Sequence, residues 1–236
     1  MEDAAAPLVT RLWQGLLDLI FPPRCIGCRR PETWLCPACL AEVGRVEGPI
    51  CDRCGRPLPR PGLCRSCQGQ GSSLAGVRAP FFFEGAVQRA VHELKYRGRR
   101  VLAAPLGTLM GDFARSLDWP AAAIAPVPLH RNRERARGYN QAALLARAVA
   151  GRLGWPLLED GLVRSRETRS QVGQDRAARL ENVRGAFCWS GPAAPPARVL
   201  LLDDVYTTGA TLEACAQALR EAGASEVRGL ALARPR

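Results

Sequence analysis

Residues 199–211 read V-L-L-L-D-D-V-Y-T-T-G-A-T. Four aliphatic residues run into two acids, and the acids into a turn rich in threonine and glycine. An uninterrupted aliphatic run is the pattern of a strand buried on both faces of a parallel sheet. Asp203 and Asp204 then stand at its carboxyl end, where ligands of open α/β sheets bind. The turn Thr207–Thr211 leads into a helix predicted over 211–222. Free backbone N–H groups and the helix dipole favour an anionic group at such an N-terminus. Gly209 allows close backbone approach, and the hydroxyls of Thr207, Thr208 and Thr211 can donate to phosphate oxygens. Two carboxylates beside such a cradle repel an anion unless they accept sugar hydroxyls or act near a divalent cation. Sugar, phosphate and metal together account for the stretch.

The sequence around it alternates strands and helices. Strands are predicted at 77–83, 122–128, 198–204 and 226–233, and helices at 86–96, 101–117 and 140–153. The expected architecture is therefore α/β, with a parallel sheet covered by helices on both faces.

The N-terminal part has a different composition. Eight of the ten cysteines lie in four C-x-x-C pairs between Cys25 and Cys67. CIGCRRPETWLCPAC (25–39) and CDRCGRPLPRPGLCRSC (51–67) form an internal repeat: C-x-x-C, an Arg-Pro turn, then Leu-Cys-x-x-Cys. Each pair places two thiolates on one tight turn, and two turns complete the closed tetrahedral S4 set of a structural zinc site. The repeat favours sequential pairing, with Cys25, Cys28, Cys36 and Cys39 on one ion and Cys51, Cys54, Cys64 and Cys67 on a second. A cross-braced arrangement and a redox dithiol are the alternatives. So short a module has no independent apolar core, and metal supplies its folding energy. Cys188 and Cys215 stand alone in apolar contexts and are expected to be small core residues.

QGQGSS (68–73) has linker composition, which divides the chain into an N-terminal amphipathic helix (1–22), a double zinc-ribbon module (23–70) and a sheet domain (76–236). The linker is expected to keep the cores of module and sheet domain separate. The helix at the start has Leu8, Leu12, Leu16, Leu19 and Ile20 at helical spacing, for docking on the protein's own core or a membrane surface. Arg11, Gln14 and Asp18 exclude it as a signal core or membrane span. A cytoplasmic location follows as the expectation, and a reducing compartment favours cysteines as metal ligands.

Formal charge is +11, and 32 of the 33 basic residues are arginine, Lys95 being the lysine. Such an excess favours acidic ligands or nucleic acid as partners. Between His130 and Arg184 there are 12 arginines and 6 acids, a local excess of +6. Arginine's planar fork suits bidentate phosphate contacts.

The 199–211 stretch resembles the signature of type I phosphoribosyltransferases for 5-phosphoribosyl diphosphate (PRPP). The resemblance implies that Asp203 and Asp204 hold the ribose hydroxyls and that Thr207, Thr208, Gly209, Ala210 and Thr211 bind the 5-phosphate, with Mg²⁺ accompanying PRPP. Members acting on 6-oxopurines carry an aspartate where this chain has Thr207, which argues against that substrate class. HELKYRG (92–98), PVPLHRNRERARGYNQA (126–142), RETRSQVGQDRAARLENVRGAF (166–187), the cysteine repeat and the PRPP signature occur in the order of the ComF family, whose members include competence proteins of natural transformation and sugar-utilisation relatives. By analogy with the fold, Arg131, Arg133, Arg137 and Gly138, in a loop after Pro128, meet the diphosphate. Thr168, Gln171 and Arg176 belong to a flap, and Lys95, Tyr96 and Arg97 form another wall, with His92 structural. The family implies a PRPP-binding competence protein that acts with incoming single-stranded DNA, beside a competence helicase or recombination-mediator proteins. A phosphoribosyltransferase with an unidentified acceptor, a sugar-utilisation role and a purely structural zinc adaptor are the alternatives; the sequence assigns no catalytic residue.

Overall fold

The computed structural model describes residues 22–120, 122–166, 183 and 185–236. The expected N-terminal helix, up to residue 21, and the flap residues Thr168, Gln171 and Arg176 lie outside the described residues.

A short helix, α1 (Pro37–Ala41), lies in the cysteine-rich region. The sheet domain then runs β1 (Gly76–Arg78), β2 (Phe81–Phe82), α2 (Gly85–Tyr96), α3 (Ala103–Ser116), β3 (Ala123–Pro126), α4 (Arg131–Arg137), α5 (Gln141–Leu153), β4 (Leu162–Arg164), β5 (Phe187–Trp189), β6 (Arg198–Val205), α6 (Ala210–Glu221) and β7 (Glu226–Arg234). The main sheet has the order β1-β7-β6-β3, every pairing being parallel, with β2 also on β7. The quoted stretch is thus an inner strand, as its aliphatic run predicts.

Period-two alternation sends the strand residues to two cores. Leu200 and Leu202 join Ile124, Leu230 and Leu232 under α2, α3 and α5. Val199 and Leu201 join Ala125, Val227 and Ala231 against α6 and β5. The four aliphatic residues 199–202 of β6 are at most 1% exposed, each contributing about 1.5–3 kcal/mol.

Three elements differ from expectation. The strand predicted over 77–83 is two short pieces, because Pro80 lacks the N–H a continuous ladder needs. The basic loop after Pro128 is the helix α4: His130 Nδ1 accepts from Asn132 N at 3.3 Å, and Gly138 closes the helix at φ 80°. The long connection after α5 contains β4 and β5, paired antiparallel.

The cysteine module is packed onto the sheet domain. Cys25, Cys36, Cys39 and Val43 belong to the same apolar cluster as Phe81, Ala86 and Ala90. Val77 N donates to Arg53 O at 2.7 Å, and Arg234 Nη1 to Cys54 O at 2.6 Å. The linker does not keep the cores apart, since a module this small buries its thiols only by leaning on α2 and the sheet.

Candidate functional site

The thiols fall into two sets, Cys25/Cys28/Cys36/Cys39 and Cys51/Cys54/Cys64/Cys67, in each of which the ligand atoms lie within 4.8 Å of one another. This is the sequential pairing, and the cross-braced alternative is excluded. The knuckles present backbone N–H groups to sulfur: Cys36 N donates to Cys25 Sγ at 3.3 Å, and Cys64 N to Cys51 Sγ at 3.4 Å. Burial pushes the Cys25 thiol up, but the N–H groups of Cys36, Cys28 and Gly27 outweigh it and hold it near 6. Cys39 is pushed up to about 12 by its hydrogen bond with Cys36 and by burial. Four thiolates this close ionise together only around a cation, and four sulfurs without an open position fit Zn²⁺. Gly27 is required here, because a Cβ would lie 2.5 Å from Cys39 Sγ.

Of the two lone cysteines, Cys215 is buried as expected, whereas Cys188 is exposed on β5. The three-residue strand alternates, with Phe187 inward, so Cys188 points to solvent.

At the carboxyl end of β6 the two acids part, because successive strand residues face opposite sides. Asp204 is 2% exposed. Its Oδ1 lies 2.8 Å from Lys95 Nζ in the last turn of α2, while its Oδ2 is buried without a hydrogen-bond partner. Burial lowers the Lys95 pKa, but Asp204 and Asp203 outweigh that and raise it. Asp203 is half-buried toward the turn, its Oδ1 accepting from Asp204 N at 2.8 Å. Burial, reinforced by the neighbouring Asp204 charge and opposed by Lys95, pushes the Asp203 carboxyl up to about 7.

Asp203 borders a concavity with Tyr206, Thr207, Thr208, Gly209, Ala210 and Thr211. Gly209 precedes α6 at φ 81°, and a Cβ there would lie 2.5 Å from Tyr206 Oη. Both the backbone conformation and the ring beneath it exclude a side chain. Thr208 Oγ1 accepts from Ala210 N at 3.5 Å. The cradle is tied to the linker that follows the cysteine module, since Ser72 Oγ and Ser73 N donate to the Glu213 carboxylate in the first turn of α6 at 2.7 and 2.5 Å. Sequence reading missed this tie. It also missed the Lys95–Asp204 pair, which no local pattern encodes; the lone lysine among 33 basic residues was the available signal.

The arginines divide. Arg131 lines a cleft of about 620 Å³ beyond β3, together with Pro128, Asn140, Arg147 and Arg164. Arg133 is half-buried on α4. Arg137 donates to Gln141 Oε1 and lies 5.6 Å from the centre of the Tyr96 ring. The Gly138 carbonyl accepts from Arg100 at 3.0 Å. Tyr139 is buried, with its hydroxyl donating to Leu94 O. Tyr96 is 69% exposed.

Residues 16–68 match the model of the double zinc ribbon domain family. The chain is 32% identical to competence protein F of Haemophilus influenzae, covering 89% of this chain and 96% of that protein. It is 30% identical to DNA utilization protein YhgH of Salmonella typhimurium (92% and 99% covered) and 27% identical to competence protein ComFC of Bacillus subtilis (85% and 83% covered). Among solved structures it is similar to TT1426 of Thermus thermophilus (17% identity, TM-score 0.36, 57% of this chain and 84% of that one). A second is an adenine phosphoribosyltransferase of Leishmania tarentolae (17%, TM-score 0.37, 66% and 78%). Two four-cysteine ribbon sites ahead of a parallel α/β sheet, with sequence similarity running the length of its relatives, place this chain in the ComF family of competence proteins.

Proposed function

We propose that this protein binds PRPP with Mg²⁺ and acts with incoming single-stranded DNA in natural transformation, in the cytoplasm. The observation that carries the PRPP reading is the turn Tyr206–Thr211, closed onto the N-terminus of α6 beside Asp203 at the carboxyl end of an inner strand. Its backbone N–H groups and the hydroxyls of Thr207, Thr208 and Thr211 suit the 5-phosphate. Asp203 accepts the ribose hydroxyl hydrogen bonds. Asp204, paired with Lys95, keeps Oδ2 as a further acceptor. Arg131 and Arg133, with Arg137 and Gly138 at the far end of α4, supply the positive wall for the diphosphate. The diphosphate brings its own Mg²⁺, which neutralises charge there.

The two Zn²⁺ ions are structural in this reading, because no ligand position is open to water. They hold the ribbon against α2 and, through Ser72 and Ser73, brace the first turn of α6. The competence and DNA-utilization names of the relatives, together with the +11 charge, support the role with DNA.

The cleft beyond β3 supports a second reading as a transferase, with an acceptor seated between Asn140 and Arg164 and attacking the anomeric carbon as diphosphate leaves. Calorimetric titration with PRPP and Mg²⁺, with and without single-stranded DNA, tests the first reading; absence of PRPP binding in both arms rejects it. Diphosphate release on addition of an acceptor would establish the second.

A further inference from the structure

Away from the β6 turn, a groove of about 800 Å³ runs between the first cysteine knuckle and α2. Arg24 and Arg29 come from the knuckle side, Arg89 from α2, and Arg97 and Arg99 from the cap and turn after it; all five are exposed. The single acid in the lining, Glu93, is paired with Arg99 at 3.0 Å, so the groove keeps a large positive excess. Tyr96 rises from this basic lining with its ring 69% exposed, the most exposed large apolar side chain among the described residues. The ring is braced rather than loose. His92 meets it edge-on at 5.8 Å, and Phe83 supports His92 at 5.9 Å.

We infer that this groove is the seat of the single-stranded DNA, with Tyr96 as a stacking platform and the arginines as phosphate contacts. Basic side chains that track a backbone, interleaved with an exposed aromatic ring, are what a single strand recognises without sequence preference. A duplex keeps its bases stacked on each other and has no use for the ring. The eight steps from Arg89 on α2 to Arg97 at its C-cap span about 12 Å, so phosphates contacted at the two ends are successive or nearly so. The inference rests on the DNA part of the proposed function and adds its location. It also gives the two ligands a shared element: the last turn of α2 turns Lys95 inward to Asp204 and Tyr96 and Arg97 outward to the groove.

The test is fluorescence anisotropy of full-length protein with a labelled oligo(dT) strand across a salt series, beside PRPP calorimetry on the same samples. Tyr96→Ala should weaken DNA binding on the order of tenfold with an unchanged salt slope, and Tyr96→Trp should restore it. Arg24→Ala/Arg89→Ala/Arg97→Ala should lower the salt slope by about 2, three contacts at about 0.7 each. Arg115→Ala, on α3 outside the groove, should change neither beyond the loss of one remote charge. PRPP affinity should survive in Arg24→Ala/Arg89→Ala, which leaves the wall residues Tyr96 and Arg97 in place.

Parent-like DNA binding by both groove variants overturns the inference and leaves the functional reading standing. A parent protein that binds no single-stranded DNA overturns the DNA part of that reading and the groove with it. Loss of self-association in the variants, with DNA binding intact, would assign the groove to a second copy of the chain instead.

Discussion

Lys95 Nζ lies 2.8 Å from Asp204 Oδ1, and the two side chains are 21% and 3% exposed. This pair bolts the end of α2 to the end of β6 at one of the two acids of the candidate site. Removing one partner of a buried pair strands the other charge in a medium that solvates it poorly.

Lys95→Met should therefore destabilise the protein by about 3 kcal/mol, and adding Asp204→Asn should recover much of the loss, because both charges are then gone. Urea denaturation of the single and double variants measures this; equal midpoints for parent and Lys95→Met would refute the pairing.

Asp203 gives a pH signature. Its carboxyl is raised by burial and by Asp204 from an ordinary 3.8 to about 7. A raised acid favours the folded state below its unfolded pKa, and that contribution is lost as pH climbs to the folded value. Thermal stability of the parent should fall relative to Asp203→Asn between pH 4 and pH 7, with the difference levelling above pH 7. A constant difference over that window would mean that Asp203 titrates normally.

Gly209→Ala places a methyl group against Tyr206 at φ 81°. The strain should cost about 1–3 kcal/mol, and the displaced turn should lose PRPP affinity. A differential-scanning melt and a PRPP titration report the two effects separately; an unchanged melt would mean that the turn has room the packing denies.

Elemental analysis of protein purified without chelator should give two zinc ions per chain, one for each four-thiol set. Cys36→Ser should lower the melting temperature of the whole protein, because Cys36 shares the apolar cluster of α2. Cys64→Ser should do less, since its set clusters mainly with itself. Equal effects, or a sheet-domain melt untouched by Cys36→Ser, would contradict the shared core.

The parts legible in the sequence were those set by local pattern. The aliphatic run 199–202 announced an inner parallel strand, the C-x-x-C repeat announced two closed sites, and T-T-G-A-T announced a turn against a helix start. What depends on distant residues was not legible. No spacing rule tells that Lys95 meets Asp204 or that Ser72 and Ser73 cap Glu213. Nor does any show Tyr139 turning inward to Leu94 while Tyr96 turns out. The basic run after Pro128 was misread as a loop because its charges masked ordinary helix ends, an N-cap at His130 and a glycine stop at Gly138.

We propose that the turn after β6 binds a phosphorylated ribose. Asp204 is too deeply paired to be removed cleanly, so the test falls on Asp203, half-buried at the edge of the cradle. Isothermal titration of PRPP and Mg²⁺ into the parent and into Asp203→Ala, each shown to be folded by its melt, measures the contact directly. A lost hydrogen bond to a charged group is about 1.5–3 kcal/mol, so affinity should drop by roughly 10- to 150-fold. Parent-like affinity in Asp203→Ala would mean that the turn after β6 does not hold the ribose.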